Sequence, residues 1–494
     1  MRGTFITTIS LTGALLVSAC ASPDQMAKLS NPRAGFDTVA TTAAAATGKE
    51  TVWIQSGVEA AANAQRVQAL VYQKTISADT AVQVALLNNK GLQAAYAELG
   101  LSSADVWQQT LQPNPTVSVG VFGIGKKGFD RFGGYGAIEG MIANNILSLV
   151  TRNKRLGIAD IHFRQAQLVA AEATLRVATE TRRAWVEAVA AFEAASLIAQ
   201  AQGTANAASE LAARLGEVGS LNKAGQAREH AFYAELTGQR AQAKLAAELA
   251  KEALTRQLGL WGADAVYYVP DALPQLPRAV AARPQIEAEA LGRRVDLAIA
   301  KLELEAAARE NGLTDATRYV TDLEIIAGFD ADRKVNDNKT AVSTATTQQV
   351  EVAFNIPIFD SGKARKRKAE TAYMRAANEL AQMAVNVRSE ARSAYLAYTA
   401  SHQIARHYRD AVLPLRRTIE EEGLLSYNGM ITNTFELLAD TRARLNGNLL
   451  EGSARRDFWL ADANMVAAVY GGGAAAGGGG DSGGGVAAEG GAGH

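Results

Sequence analysis

The chain has 494 residues, 48% of them hydrophobic and 20% charged, which supplies a sizeable buried core and excludes a wholly disordered protein. Fifty Lys and Arg balance fifty Asp and Glu, so no net field draws the chain to nucleic acid, and none is expected as a partner. A single cysteine excludes a disulfide framework and any cysteine-based zinc cluster.

Residues 1–19 read as a secretory signal, with basic Arg2, an apolar run from Leu11 to Val17, and small Ser18 and Ala19. The run is too short to span a bilayer. Val17-Ser18-Ala19-Cys20 resembles a bacterial lipobox. That implies cleavage before Cys20, a covalent lipid (palmitate among the acyl groups) on this residue, and anchoring; Ala21 in place of aspartate removes the inner-membrane retention cue, so the outer membrane is the expected location. The plain alternative is a small buried thiol. Residues 20–76 then form a polar, Ala-rich, lipid-anchored segment.

Ser77 is an N-cap for a helical pattern that runs through Ala94, Leu99 and Val106 to Gln112. Pro113 and Pro115 stop it. Val117, Val119 and Val121 alternate as a strand, a glycine-rich turn spans Gly123 to Gly136, and a second extended run from about Ala137 to Val150 completes a hairpin over about 116–150. From Thr151 to about Leu215, positions Leu168, Ala171, Leu175, Ala178, Arg182, Trp185, Val189, Phe192, Ser196 and Ala199 fall at alternating three and four spacing, all apolar except Arg182 and Ser196. This is a coiled-coil seam, and about 65 residues at 1.5 Å each make a rod of roughly 100 Å. A break at Gly216 to Gly219 precedes a second long helix to about Gly259, and Pro270, Pro274, Pro277 and Pro284 mark a boundary.

Residues 285–469 repeat the plan of residues 77–284. Gln285 to Asn311 is helical; Leu323, Ile325, Ala327 and Phe329 alternate, a polar loop spans Asp330 to Lys339, and Val350, Val352, Phe354, Ile356 and Ile358 alternate again, placing a hairpin over about 320–359. Long helices follow over about 361–469, with Pro414 expected to kink the first and a tight break at Asn428-Gly429. Thr151 to Arg155 corresponds to Ser361 to Arg365, Trp185 to Tyr395, and Gly216 to Gly429, the two glycines marking the helix-turn tips. Residues 470–494 are a Gly/Ala-rich tail with no structure assigned. The fold class is mainly α with a small β part, in duplicated units of helix, β-hairpin and long helical hairpin. Four alternating strands per chain cannot close a barrel, and an open sheet with exposed Val and Ile aggregates unless its edges pair; closure by several copies solves both difficulties.

Ala85 to Asn89 and Leu92 to Ala95 before the first hairpin, Gln112 to Thr116 at its start, Asn355 to Gly362 after the second, and Gly429 to Leu438 resemble the TolC-type outer-membrane efflux protein family over roughly residues 77 to 469. The resemblance implies a homotrimer whose strands close a twelve-stranded outer-membrane barrel over a periplasmic α-helical tunnel. It implies as partners a periplasmic adaptor protein, an inner-membrane transporter and outer-membrane lipid. The implied function is passive conduction in a tripartite efflux system, with no bond chemistry. It places a constricting periplasmic end around Gly216 to Asn222 and Ser426 to Asn433, with Tyr427 beside the tip and Glu436 and Asp440 as lumen-facing carboxylates one helical turn apart. Thr432 stands where some members carry a gating arginine, which puts that lock in doubt. The alternative for Glu436 and Asp440 is a solvated helix face, with Asp440 pairing with Arg444.

Basic clusters Arg152 to Arg155 and Lys363 to Lys368 directly follow strands, where they can reach lipid phosphates or simply face solvent. Tyr135, Phe122, Phe129, Phe132 and Phe359 are candidates for interfacial aromatic girdles. Gly123 to Gly128 matches a dinucleotide fingerprint, but Phe129 to Gly136 reads as a turn and no helix opens there. His402 and His407 are five apart, which does not stack them on a helix face, and no metal site is expected. No nucleophile, base or metal constellation points to an enzyme, and the only expected cofactor is the lipid on Cys20. Two further readings stay open: an outer-membrane channel for type I protein secretion, and a periplasmic coiled-coil scaffold lipoprotein without a barrel.

Overall fold

The computed structural model describes residues 29–122, 136–219, 221–335, 342–429 and 434–473. The signal segment, Cys20, the fingerprint Gly123 to Gly128, Thr432 and the tail beyond Gly473 lie outside these residues. In chain order the elements are α1 (Phe36–Thr47), α2 (Gly57–Val71), α3 (Ala78–Asn88), α4 (Lys90–Thr110), β1 (Thr116–Phe122), β2 (Ala137–Asn145), α5 (Ile146–Val150), α6 (Arg152–Glu217), α7 (Lys223–Leu258), α8 (Ile286–Arg293), α9 (Val295–Ala316), β3 (Leu323–Val335), β4 (Val342–Phe354), α10 (Lys363–His407), a π-helical turn (Tyr408–Val412), α11 (Leu413–Asn428) and α12 (Thr434–Tyr470). The chain is mostly helical with one small antiparallel sheet.

Several expected elements change on folding. Residues 20–76 contain two helices that the sequence reading left unassigned. Helix α2 starts on a capping motif, Ser56 Oγ accepting the Glu59 N–H while Glu59 accepts the Gln55 N–H at 2.9 Å, and its Asn63 amide donates to the Leu87 carbonyl at 2.8 Å. Ser77 does cap α3, but the helix expected to reach Gln112 breaks at extended Asn89. The Asn88 and Asn89 amides donate to the carbonyls of Leu258, Gly259 and Gln257 at the end of α7. The returning strand of the first hairpin ends at Asn145 rather than Val150, because Asn145 Oδ1 caps the Ser148 N–H at 2.8 Å and turns Ile146 to Val150 helical. In the second hairpin the strand runs through the expected loop as far as Val335, and the return runs from Val342 to Phe354, leaving Ile356 and Ile358 outside it. Cross-strand pairs between Asp330 and Thr347 and between Asp332 and Ala345 carry this extension. The helix expected over 285–311 is divided at extended Arg294.

The chain separates into two compact units. The first comprises Met1–Thr42, Gly91–Ala171 and Val295–Val387 and holds the sheet. Here Phe36 meets Tyr96 edge-on at 4.9 Å. Gly35, at φ +77, leaves no room for a Cβ against Phe163 and Gln167. Chain exits from the sheet are tied to the helices beside them: Arg152 donates to the Thr110 carbonyl, Arg318 Nε to the Ser361 carbonyl at 3.0 Å, and Asn145 to Asp322 at 2.8 Å.

The second unit comprises Ala43–Lys90, Glu172–Arg294 and Arg388–His494. Its core gathers Val67, Val71, Ile76, Val84, Leu87, Trp185, Val189, Leu254, Leu258 and Tyr267. Burial pushes the Tyr267 phenol up to about 12, so it stays neutral and bonds Thr255 at 2.9 Å. The duplication reaches individual contacts. Trp185 donates to the Ile76 carbonyl at 2.9 Å and Tyr395 accepts the Arg283 N–H at 3.3 Å, each holding the chain just before the first helix of its repeat. One turn earlier Arg182 meets Asp79 at 2.7 Å and Arg392 meets Glu287 at 3.2 Å. On α6, Leu175, Ala178, Trp185 and Val189 of the seam are buried, but so are Thr174, Thr181, Val186 and Ala188, so this stretch is covered on more sides than a two-stranded coiled coil requires.

A π-turn precedes Pro414 in its long helix. A proline removes one N–H and crowds the carbonyl four residues back. The helix accommodates this one turn earlier as a π-turn, in which the Leu413 N–H bonds the Tyr408 carbonyl.

Candidate functional site

The sheet has the order β1-β2-β3-β4 with β1 and β4 at its edges. Directly opposed residues on antiparallel strands share a face, so the register sorts the side chains. Val117 stands beside Ile142, Ile142 beside Ala327, and Ala327 beside Val350. The same face carries Val119, Val121, Ile325, Phe329, Val352 and Phe354, and the Phe329 ring packs over the space left by Gly140. These side chains are exposed: Val119 is 71% and Val350 76% accessible. The opposite face carries Ser118, Met141, Gln349 and the carboxylates Glu139, Glu324, Asp330, Asp332 and Glu351. Glu139 sits directly across from Asp330, an arrangement of like charges that costs stability unless solvent or counter-ions screen it. The sheet is thus apolar on one side and acidic on the other.

Of the expected aromatic girdle, Phe122 lies on the acidic side, its ring over Gly120, because its even position in β1 points it away from the valines. Phe359 is fully exposed between β4 and α10, and Tyr135, Phe129 and Phe132 lie outside the described residues. The basic clusters are partly used inside the protein. Arg152 is buried on Thr110, Arg155 donates to the Ser148 carbonyl at 2.7 Å, and Lys366 meets Asp315 at 2.8 Å, each holding the other in its charged form. Lys154, Lys363, Arg367 and Lys368 remain exposed.

The helical turns belong to the second unit. Gly216 is not the tip residue that the sequence reading made it; it lies inside the last turn of α6, where any Cβ would collide with the Gln226 amide. The glycine that turns the chain is Gly219, at φ +75, and Asn222 then caps α7 through the Gly225 N–H at 2.8 Å. Gly429 follows α11 directly, and its N–H bonds the Leu425 carbonyl at 2.9 Å. Tyr427 is the penultimate residue of α11, Glu436 lies exposed in the first turn of α12, and Asp440 is half-buried one turn on. Arg444 is committed to Glu420 of α11, not to Asp440.

Groups without any local sequence signature join the second helical hairpin to the first near these turns. Arg442 of α12 lies 3.7 Å from Glu229 of α7, a carboxylate only 5% exposed, and its guanidinium stacks 3.8 Å from the Phe232 ring centre. On the neighbouring helices Ser209 bonds His230 at 2.5 Å. No local motif marks these residues; only an arginine set on an Ala- and Leu-rich helix hinted at them. His402 is a core residue, its Nε2 2.9 Å from the Pro277 carbonyl and its ring against Phe458. Among the described residues no three His, Cys, Asp or Glu side chains converge as a metal site.

No protein-family model matches this sequence, and no curated protein does. Solved structures do match. The outer-membrane channel OprN superposes with a TM-score of 0.66 at 18% identity, covering 80% of this chain and 90% of that one. The outer membrane protein VceC from Vibrio cholerae gives 0.63 at 16%, covering 80% and 96%. The CmeC outer membrane channel of Campylobacter jejuni gives 0.62 at 17%, covering 83% and 86%. The chain therefore has the fold of these outer-membrane channels.

Proposed function

We propose that this chain is a TolC-type outer-membrane factor, the outer-membrane channel of a tripartite efflux system that passes solutes outward from a periplasmic adaptor and an inner-membrane pump. The observation that carries the reading is the two-faced sheet: its valines with Phe329 and Phe354 are exposed, covered by none of the described residues, while its carboxylates lie on the other side. Lipid satisfies the first face and a water-filled lumen the second. Two open edges, β1 and β4, then pair with neighbouring copies, and three copies of four strands close a twelve-stranded barrel. In such a lumen Glu139, Asp330, Asp332 and Glu351 favour cations over anions.

The turns after α6 and α11 form the periplasmic end in this reading. Glu436 and Asp440, repeated around a threefold axis, constrict it, and Arg442 with Glu229 holds the second hairpin against the first. The lipid on Cys20 supplies a second attachment to the outer membrane. The fold of the neighbours favours conduction over enzymatic chemistry.

The test is the oligomeric mass of detergent-extracted protein together with planar-bilayer conductance of the same sample. A conducting trimer is expected. A water-soluble, non-conducting monomer overturns the reading and leaves the scaffold lipoprotein in its place.

A further inference from the structure

Helices α6 and α12 face each other through ionisable side chains set eleven residues apart on both. Arg182 and Glu193 on α6 answer to Asp462 and to Glu451 with Arg455 on α12. Eleven residues make three turns, about 16 Å, so the groups form two rungs on one seam.

At the first rung one guanidinium serves two carboxylates. Arg455 bonds Glu193 and lies 3.5 Å from Glu451, with side-chain exposures of 15%, 14% and 12% for Arg455, Glu193 and Glu451. Glu193 also accepts the Leu273 N–H at 3.0 Å. Glu451 is left with the weaker share. From the π-turn Arg409 faces it as well, but that guanidinium is held by Asp410 at 2.7 Å, which Arg406 also bonds. A cavity of about 140 Å³ opens beside this rung, bounded by Glu187, Glu193, Gly452, Ser453 and Arg456; Arg456 is itself bonded to Asp457 at 2.8 Å.

The second rung repeats the imbalance. Asp462 shares a cavity with Arg182, already paired with Asp79, and feels the charge of Arg283, already paired with Glu289 at 3.4 Å. The phenol of Tyr398 lies near it, and Tyr470 lines the same cavity of about 180 Å³, with its hydroxyl bound to Arg293.

We propose that this seam is a proton-operated clasp, gripping when Glu451 and Asp462 are neutral and loosening when both ionise, with the π-turn as the adjoining hinge. Burial is the largest influence on both carboxyls and raises them above the ordinary range, with Glu193 adding repulsion at Glu451. A raised carboxyl stabilises the packed state fully in acid, and that stabilisation disappears as pH climbs through the folded-state value. The clasp needs no channel; only its use as a gate rests on the proposed function.

Amide hydrogen exchange across residues 449–466 of the full-length protein, corrected for intrinsic rates and followed from about pH 4 to about pH 8, reads the clasp directly. Protection is expected to fall about tenfold for each unit by which burial raises a carboxyl. Glu451→Gln with Asp462→Asn should hold the acid level of protection at every pH, and Glu193→Gln should move the loss of protection to lower pH by releasing Arg455 to Glu451. A flat wild-type profile, or a double variant with the wild-type slope, overturns the clasp. Bilayer conductance of the same samples separates the two ideas: absence of conductance at every pH counts against the channel alone, whereas conductance with a pH-independent seam counts against the clasp alone.

Discussion

The sheet and the helical unit use the same apolar residue types and treat them in opposite ways. Val119 and Val350 stand open to the outside, whereas Val71, Val84 and Val189 are fully covered. Hydrophobic burial requires a partner, and among the described residues the helices cover their valines while the apolar face of the sheet stays open. A sheet with one exposed apolar face and one acidic face differs from the helical core in what it offers its surroundings, and that contrast carries the functional proposal.

The contrast breaks most readily at Phe329, where arginine would place a charge on the apolar face. Such a change costs about 2–4 kcal/mol at the middle of a bilayer and should sharply lower the yield of conducting oligomer, while Ser118→Asp on the other face should be tolerated. Equal tolerance at both positions would mean that neither face meets lipid. In the helical unit Trp185→Ala removes a buried ring and its bond to Ile76, an expected loss of about 3–5 kcal/mol in chemical unfolding. Its counterpart Tyr395→Phe, which removes one hydroxyl, should lose only about 1 kcal/mol. Arg442→Ala should destabilise by about 1–3 kcal/mol, less than the full price of a buried ion pair because the arginine is partly exposed, and under the proposed function should raise resting conductance in planar bilayers. The smallest effect is expected at Lys366→Ala. Lys366 holds the Asp315 carboxyl below its ordinary range, so its contribution is present above that range and lost as pH falls through the depressed value. A solvent-exposed pair of this kind should barely shift the thermal midpoint at neutral pH.

Much of the plan was legible before any coordinates. Periodicity marked the long helices, Ser77 marked the start of α3, and alternation at Val117 to Val121 and Leu323 to Phe329 marked the two outgoing strands. Glycine was a less certain guide. Gly216 and Gly219 are indistinguishable as letters, and the φ of +75 at Gly219, with Gly216 still inside the helix, shows which one turns the chain. The helices in residues 36–71 were passed over although Ser56 and Glu59 spell a helix start, because an alanine-rich stretch has a weak periodic signal. Strand ends were misplaced for the reason visible at Asn145: a single side-chain cap ends a strand that apolar content would have continued.

By itself the sequence determined what local chemistry controls: helix and strand periods, the proline that disturbs one long helix and the duplication of the pattern. The tertiary structure alone decided what depends on residues far apart in the chain. It put Glu139 opposite Asp330, set Arg442 on Phe232 and Glu229, and aligned Glu193 and Arg182 with the charged face of α12. Such pairings follow from register and from the meeting of helices hundreds of residues apart, and no short window of sequence contains the distances that make them interact.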